Sequence, residues 1–199
     1  MFYTISLGYF IFNDIKHVRD VDSLNPSQII NVRTDIVNYF KPGTLTVDEA
    51  YLEKIWNWGR GWYTRLSLGL FEIEYGGVAG EWLYYPVNSN WAIGMTFALL
   101  KKRTPDGVNF TDRARILHGF EPHYVKFIGT QYFLNLYYDW RCVELEFKVS
   151  IGKFLANDYG VRTEISRYFP SGLHLDLDKR QIKSDHFRIE LIQAEVIWD

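Results

Sequence analysis

An all-β fold, an antiparallel up-and-down transmembrane β-barrel or a large piece of one, is predicted by two features of the chain. The first is alternation. Between Val143 and Ile151, Val143, Leu145, Phe147, Val149 and Ile151 are apolar, while Glu144, Glu146, Lys148 and Ser150 are polar. Only a period of two puts these on separate faces; wound as a helix, the apolar residues would scatter around the circumference. Several other segments repeat the pattern, and a tilted strand of ~9–11 residues crosses the hydrocarbon of a bilayer. The second feature is aromatic content, 18% of 199 residues, with 14 Tyr, 14 Phe and 7 Trp. Membrane barrels place such amphipathic rings at both water–lipid boundaries.

The elements follow in order. From Phe2 to about Ile11, Tyr3, Ile5, Leu7, Tyr9 and Ile11 share one strand face, with Thr4, Ser6 and Gly8 opposite. Alternation then vanishes. Asp35, Ile36, Val37 and Tyr39 predict a short helix near residues 31–40, ended by Lys41-Pro42-Gly43. Leu45 to Trp56 is a strand of poorer alternation, followed by a turn at Trp58-Gly59-Arg60-Gly61. Trp62, Leu66, Leu68 and Leu70 then oppose Arg65, Ser67 and Gly69. A turn at Tyr75-Gly76-Gly77 precedes a strand over Val78 to Tyr85, and Asn88-Ser89-Asn90 precedes one beginning at Trp91. Lys101 to His118, with Lys101, Lys102, Arg103, Arg113 and Arg115, reads as a long exposed loop.

Tyr132, Leu134, Leu136 and Tyr138 form the next outward face, and the strand from Val143 follows. Beyond Asn157-Asp158-Tyr159-Gly160, Val161, Thr163 and Ile165 oppose Arg162, Glu164 and Ser166. Past Pro170-Ser171-Gly172, Leu173, Leu175 and Leu177 oppose His174, Asp176 and Asp178. The tail over 179–199 loses phase after Leu191 and reads as diverged or truncated. Residues 1–199 thus make one barrel domain or barrel fragment of roughly eight to ten strands. Periodicity leaves a second reading open: a soluble secreted β-sandwich or β-barrel binding carbohydrate or lipid. Long apolar faces, and aromatics near strand ends (Trp62, Trp91, Tyr132, Tyr138), point to the membrane.

Composition narrows the function classes. With 22 Lys+Arg against 24 Asp+Glu, the chain offers no basic field for nucleic acid. A single cysteine, Cys142, allows neither an internal disulfide nor a zinc motif. No apolar run reaches the ~18 residues of a transmembrane helix. Met1 leads directly into an alternating segment without a basic export signal, which an outer-membrane protein needs. Either the chain is an internal piece of a longer precursor, or the soluble reading replaces the membrane one.

Three stretches resemble a known family. They are Asn31 to Phe40 (Asn-Val-Arg-Thr-Asp-Ile-Val-Asn-Tyr-Phe), Tyr75 to Pro86 with the Trp91-Ala-Ile-Gly94 strand behind it, and Lys148 to Gly160 running on to Glu164-Ile-Ser-Arg-Tyr-Phe169 and Ser171-Gly172. In order and spacing, from about residue 3 to 178, they resemble the YjbH/GfcD family of exopolysaccharide (capsule) biosynthesis outer-membrane proteins. The resemblance implies a β-barrel in the bacterial outer membrane, encoded with machinery for polysaccharide secretion and carrying no enzyme activity. Its implied partners are outer-membrane lipid, polysaccharide and other export proteins. Family members are longer and carry the export signal, and the resemblance fades by Lys179.

The polar face supplies the candidate functional residues: Glu81, Glu144, Glu146, Lys148, Arg162 and Glu164, all expected to face a lumen. Glu144, Glu146 and Lys148 sit on one strand, Arg162 and Glu164 on its expected neighbour. Opposite charges on adjacent strands can pair and stiffen the wall. The functional counterpart is a polar track for a sugar polymer, with Tyr137 or Phe133 as stacking faces. Ser166, His174 and Asp176 could approach one another as a hydrolase triad, but no nucleophile elbow accompanies them. Asp176 and Asp178 lack the glycine and distal glutamate of a calcium loop, so a solvated strand face is the simpler reading. Glu144 and Glu146 imitate a glycosidase pair, yet same-face neighbours are ordinary on any strand. Gly76, Gly77 and Gly80 open no helix and cradle no phosphate. No cofactor or metal is expected.

Overall fold

The computed structural model describes residues 1–9, 32, 37–40, 45–105, 109–118, 121–169, 173–183 and 188–198. It is an antiparallel all-β chain. Its strands are β1 (Phe2–Tyr9), β2 (Leu45–Gly59), β3 (Trp62–Leu70), β4 (Tyr75–Tyr84), β5 (Trp91–Arg103), β6 (Phe110–Thr111) and β7 (Arg113–His118). They continue with β8 (Glu121–Lys126), β9 (Gly129–Trp140), β10 (Leu145–Lys153), β11 (Tyr159–Tyr168), β12 (Leu173–Lys183) and β13 (Arg188–Trp198). One helical turn, α1 (Val37–Phe40), is the only helix among the described residues. It falls within the predicted 31–40 segment, whose residues 31 and 33–36 lie outside the described set, as do Phe10 and Ile11 of the first predicted strand. No described helix is long and apolar enough to cross a membrane, which leaves crossing by strands untouched.

The main sheet runs β1-β2-β3-β4-β5-β9-β10-β11-β12-β13, with β6 beside β5, while β7 and β8 pair separately. Apart from β6 and this inserted hairpin, every strand neighbours its successor in sequence: a meander, as the alternation predicts. Among the described residues no pairing joins β13 to β1, so the strands are seen as a sheet and not as a closed ring. The tail is strand as well: β13 pairs with β12 from Leu173↔Trp198 to Lys183↔Arg188.

Turn chemistry sets the registers. Between β2 and β3, Gly59, Arg60 and Gly61 all take positive φ, at 80°, 53° and 86°. Two glycines carry most of that left-handed bend without steric cost. Tyr85 N donates to Gly61 O at 2.7 Å, and a Cβ on Gly61 would collide with that same Tyr85 carbonyl. Between β9 and β10, Arg141 to Glu144 form a four-residue turn with Glu144 at φ 55°. The perfect alternation therefore begins its strand at Leu145; Val143 and Glu144 belong to the turn.

Two further expectations need correction. Tyr75-Gly76-Gly77 is not a turn but the first part of β4. Lys101 to His118 is not an exposed loop. β5 continues to Arg103, the β7–β8 hairpin takes up Arg113 onward, and Lys102 and Arg103 are only 3% and 2% exposed. The binary rule failed because it assigns charged residues to the surface, whereas these are buried with partners.

The chain divides into two compact units. The first comprises Met1–Lys54, Leu66–Ala79 and Ala98–Gly129; the second comprises Ile55–Arg65, Gly80–Phe97 and Thr130–Asp199. In the first, Tyr39, Tyr75, Leu100, Ala114 and Phe127 are buried beside Glu74, Lys102, Arg103 and Arg115. Tyr75 Oη donates to Val32 O at 2.8 Å and Tyr39 Oη to Arg103 O at 2.6 Å. Arg103 Nη1 donates to Val47 O at 2.8 Å and Glu72 O at 2.9 Å, and Lys102 Nζ lies 3.2 Å from Glu74 Oε2. Buried charge is tolerable here because it is hydrogen-bonded and paired.

In the second unit the usual distribution of apolar and polar residues is reversed. Along β9, Tyr132, Leu134, Leu136, Tyr138 and Trp140 are 41–49% exposed, whereas Asn135 is 3% and Phe133 9% exposed. On β10, Ile151 is exposed and Ser150 buried. Within the first unit Ile5, Leu7, Leu68 and Leu99 are likewise exposed, while Ser67 is buried. Single exposed apolar residues are unremarkable in a water-soluble protein, but whole strand faces of them are not.

Candidate functional site

The polar face of the second unit borders a cavity of about 580 Å3. Its lining includes Glu81, Glu146, Lys148, Glu164, Ser166 and Asp176, together with Tyr85, Trp91, Tyr137 and Tyr168. Period-two geometry brings Tyr137, Glu146, Lys148, Glu164 and Ser166 to one side, and the antiparallel register aligns them across strands; Trp91 stands on the face of β5 that carries exposed Met95 and Phe97. Lys148 faces Tyr137 of β9 and Glu164 of β11, Glu146 faces Ser166, and Glu164 faces Asp178 of β12.

The charges form a connected chain. Lys148 Nζ is 3.0 Å from Glu164 Oε2; Arg162 Nε is 2.7 Å from Glu164 Oε1 and 3.0 Å from Asp178 Oδ2. The Lys148 ammonium lies 5.9 Å from the Tyr137 ring centroid, within cation–π range. Farther along, Arg65 Nη2 meets Glu81 Oε2 at 2.8 Å. Ser166 Oγ donates directly to Asp176 Oδ1.

Of the six residues singled out from the sequence, the structure gathers Glu81, Glu146, Lys148 and Glu164 on the cavity, with Arg162 bonded to Glu164. Glu144 departs from them. It is exposed in the β9–β10 turn and does not line the cavity, so Glu144 and Glu146 do not form a carboxylate pair on one strand face. Phe133 is buried edge-on against Phe154, with centroids 4.7 Å apart, and offers no open stacking face. Tyr137 does line the cavity. For the Ser166, His174, Asp176 constellation, the His174 side chain lies outside the described set; its backbone pairs with Tyr168 on β11. No cluster of three or more His, Cys, Asp or Glu able to hold a metal occurs among the described residues.

An aromatic band closes this unit at its turn end. Trp62 stacks on Tyr84 with centroids 4.1 Å apart and leans on Trp82 at 4.8 Å, and Tyr84 meets Trp91 edge-on at 6.0 Å. Trp82, Trp91, Tyr138, Trp140 and Tyr168 are 37–49% exposed. At the far end of the same strands, the Tyr132 and Tyr159 hydroxyls lie 3.1 Å apart. Tyr132 through Trp140 spans nine residues of β9, inside the ~9–11 that a tilted membrane-spanning strand needs. In the β9–β10 turn, Arg141 Nε lies 3.1 Å from Asp139 Oδ2, and that carboxylate, with Tyr85, raises the guanidinium pKa above its ordinary value.

Sequence reasoning missed the buried group of Tyr39, Lys102, Arg103 and Arg115 in the first unit. A usable signal existed: Ala114 and Ile116 alternate with Arg113 and Arg115, and Tyr124-Val125 follow after Pro122, which together mark a hairpin.

These features define an antiparallel β-protein in which several strand faces expose apolar residues while polar ones on the opposite face are buried. Comparison with known proteins places it more closely. The family described as "Exopolysaccharide biosynthesis protein YbjH" matches residues 1–177, and the chain belongs to it. A relative from Escherichia coli (strain K12), named "Uncharacterized lipoprotein YjbH", is 28% identical over 151 residues, covering 74% of this chain and 20% of its own length. The chain thus spans about a fifth of that relative. No solved structure matches.

Proposed function

We propose that this chain forms part of an outer-membrane β-barrel that serves exopolysaccharide assembly or export without catalysing a reaction, its polar face bordering the polymer's route. The observation that carries the reading is the reversal along β9: Tyr132, Leu134, Leu136, Tyr138 and Trp140 outward, Asn135 and Tyr137 inward. In water such an arrangement exposes apolar area that folding ordinarily removes. Against hydrocarbon it is the favourable one, since the lipid covers the apolar face and every strand pairs its backbone with a neighbour. Aromatic residues at both ends of these strands agree. The family's description connects the chain to exopolysaccharide, and the lipoprotein name of the Escherichia coli relative accords with a membrane setting.

The polar face suits a passing polymer. Carboxylates, a serine and Tyr137 supply acceptors and donors for sugar hydroxyls, and the Tyr and Trp rings supply stacking faces. Its charges are held largely by one another, which favours many weak contacts over one tight site.

Folding into phospholipid vesicles tests the assignment. Leu136→Arg should cost ~2–4 kcal/mol of folding free energy if it lies near the bilayer midplane, and Glu146→Gln much less. Equal tolerance of both, or recovery of a folded, detergent-free monomer from aqueous buffer, would favour the soluble carbohydrate- or lipid-binding β-protein instead.

A further inference from the structure

The first unit holds a second, smaller cavity of about 280 Å3, near the low end of the ~300–1,000 Å3 usual for ligand pockets. Four cationic side chains line it: Lys102, Arg103, Arg113 and Arg115. None of the described lining residues is acidic. Two carboxylates outside the lining act on these cations: Glu74 lies 3.2 Å from Lys102 Nζ, and Asp48 acts on Arg103. The remaining lining includes the neutral hydrogen-bonding groups of Asn38, Thr104 and Thr111 and two aromatic rings, Tyr39 and Tyr124.

Part of the lining is held by internal bonds, and part is exposed. Lys102, Arg103 and Tyr39 are fixed by their bonds to Glu74, Val32 O, Val47 O and Glu72 O, and by the Tyr39 bond to Arg103 O. Arg113 and Tyr124, from the paired strands β7 and β8, are exposed at the mouth. Cations concentrated around a low-dielectric recess raise the local concentration of anions. Guanidinium groups match carboxylate geometry well. Exposed Tyr124 and the neutral donors give such a site what a bare anion would not need: an aromatic surface and partners for hydroxyls.

We propose that this cavity binds an acidic sugar unit, a saccharide bearing a carboxylate, with exposed Arg113 taking the carboxylate and Tyr124 packing on the ring. The proposal rests on the exopolysaccharide reading above for its choice of saccharide, and it narrows the substrate class to a charged polymer. The experiment is binding calorimetry on the full chain in detergent micelles, with oligogalacturonate and oligoglucuronate as acidic probes, a neutral galacto-oligosaccharide of equal length, and inorganic phosphate. At least one acidic probe should bind about tenfold or more tightly than the neutral one, and added salt should weaken it. Arg113→Glu and Tyr124→Ala, both at exposed positions, should each lower that affinity several-fold while retaining the native far-ultraviolet spectrum.

Failure of both acidic probes to bind, or binding unchanged by Arg113→Glu, overturns the proposal. So does phosphate binding where neither acidic probe binds, which would mark a simple anion site such as one for lipid phosphate. Because the assay uses micelles, it reads the pocket separately from membrane crossing. A protein that binds acidic sugar yet tolerates Leu136→Arg in vesicles would keep this site and lose the barrel.

Discussion

Lys148 on β10 and Glu164 on β11 are direct cross-strand partners, and their side chains meet at 3.0 Å. Arg162 and Asp178 extend the contact over two more strand positions. A double-mutant cycle through Lys148→Met and Glu164→Gln should return a coupling of ~0.5–1 kcal/mol, the scale of a favourable cross-strand pair. Both groups retain some exposure, so screening holds the value down. A coupling indistinguishable from zero would make the alignment geometric only.

Under the membrane reading proposed above, Trp91 and Trp140 should report a shallow depth. With the other tryptophans replaced by phenylalanine, lipids brominated near the headgroup should quench these two more strongly than lipids brominated near the chain end. The reverse order would displace the aromatic band from the water–lipid boundary.

Gly61 is needed for two reasons at once, its φ of 86° and the closeness of the Tyr85 carbonyl. Gly61→Ala should destabilise by ~1–3 kcal/mol, combining a left-handed backbone with overpacking. Gly59→Ala provides the comparison. Its φ is also positive, but nothing lies within 4 Å of the added Cβ, so only the conformational part remains. Equal losses in urea titrations would mean that the Tyr85 contact carries no weight.

Tyr39→Phe deletes the hydroxyl that donates to Arg103 O at 2.6 Å in a buried setting. The expected loss is ~1–3 kcal/mol, because a buried carbonyl then loses a partner. Unchanged stability would mean that α1 does not hold the end of β5.

Much of this was legible in advance, for a reason tied to geometry. Leu145 to Ile151 alternate because a pleated strand has period two, and nothing buried there contradicts the pattern. The meeting of Lys148 with Glu164 fits the expectation that opposite charges on adjacent strands pair, whereas the contact of Arg162 with Glu164 runs along a single strand. Lys102 and Arg103 were opaque because adjacent buried charges carry no periodic signal; only their tertiary partners explain them. Glu144 was misplaced by one turn. Alternation continues through Val143 in the sequence, while the positive φ at Glu144 ends the pleat in space.

The outward Leu, Tyr and Trp side chains also bear on the chain's life before it is seated. A water-soluble protein hides its sticky residues as it folds, and so becomes safe to leave alone. For strands such as β9, pairing with neighbours leaves that face about half exposed. In water, such a face stays open to association even in the folded molecule. Under the membrane reading proposed above, delivery calls for an escort that covers Leu134, Leu136 and their companions until the bilayer does.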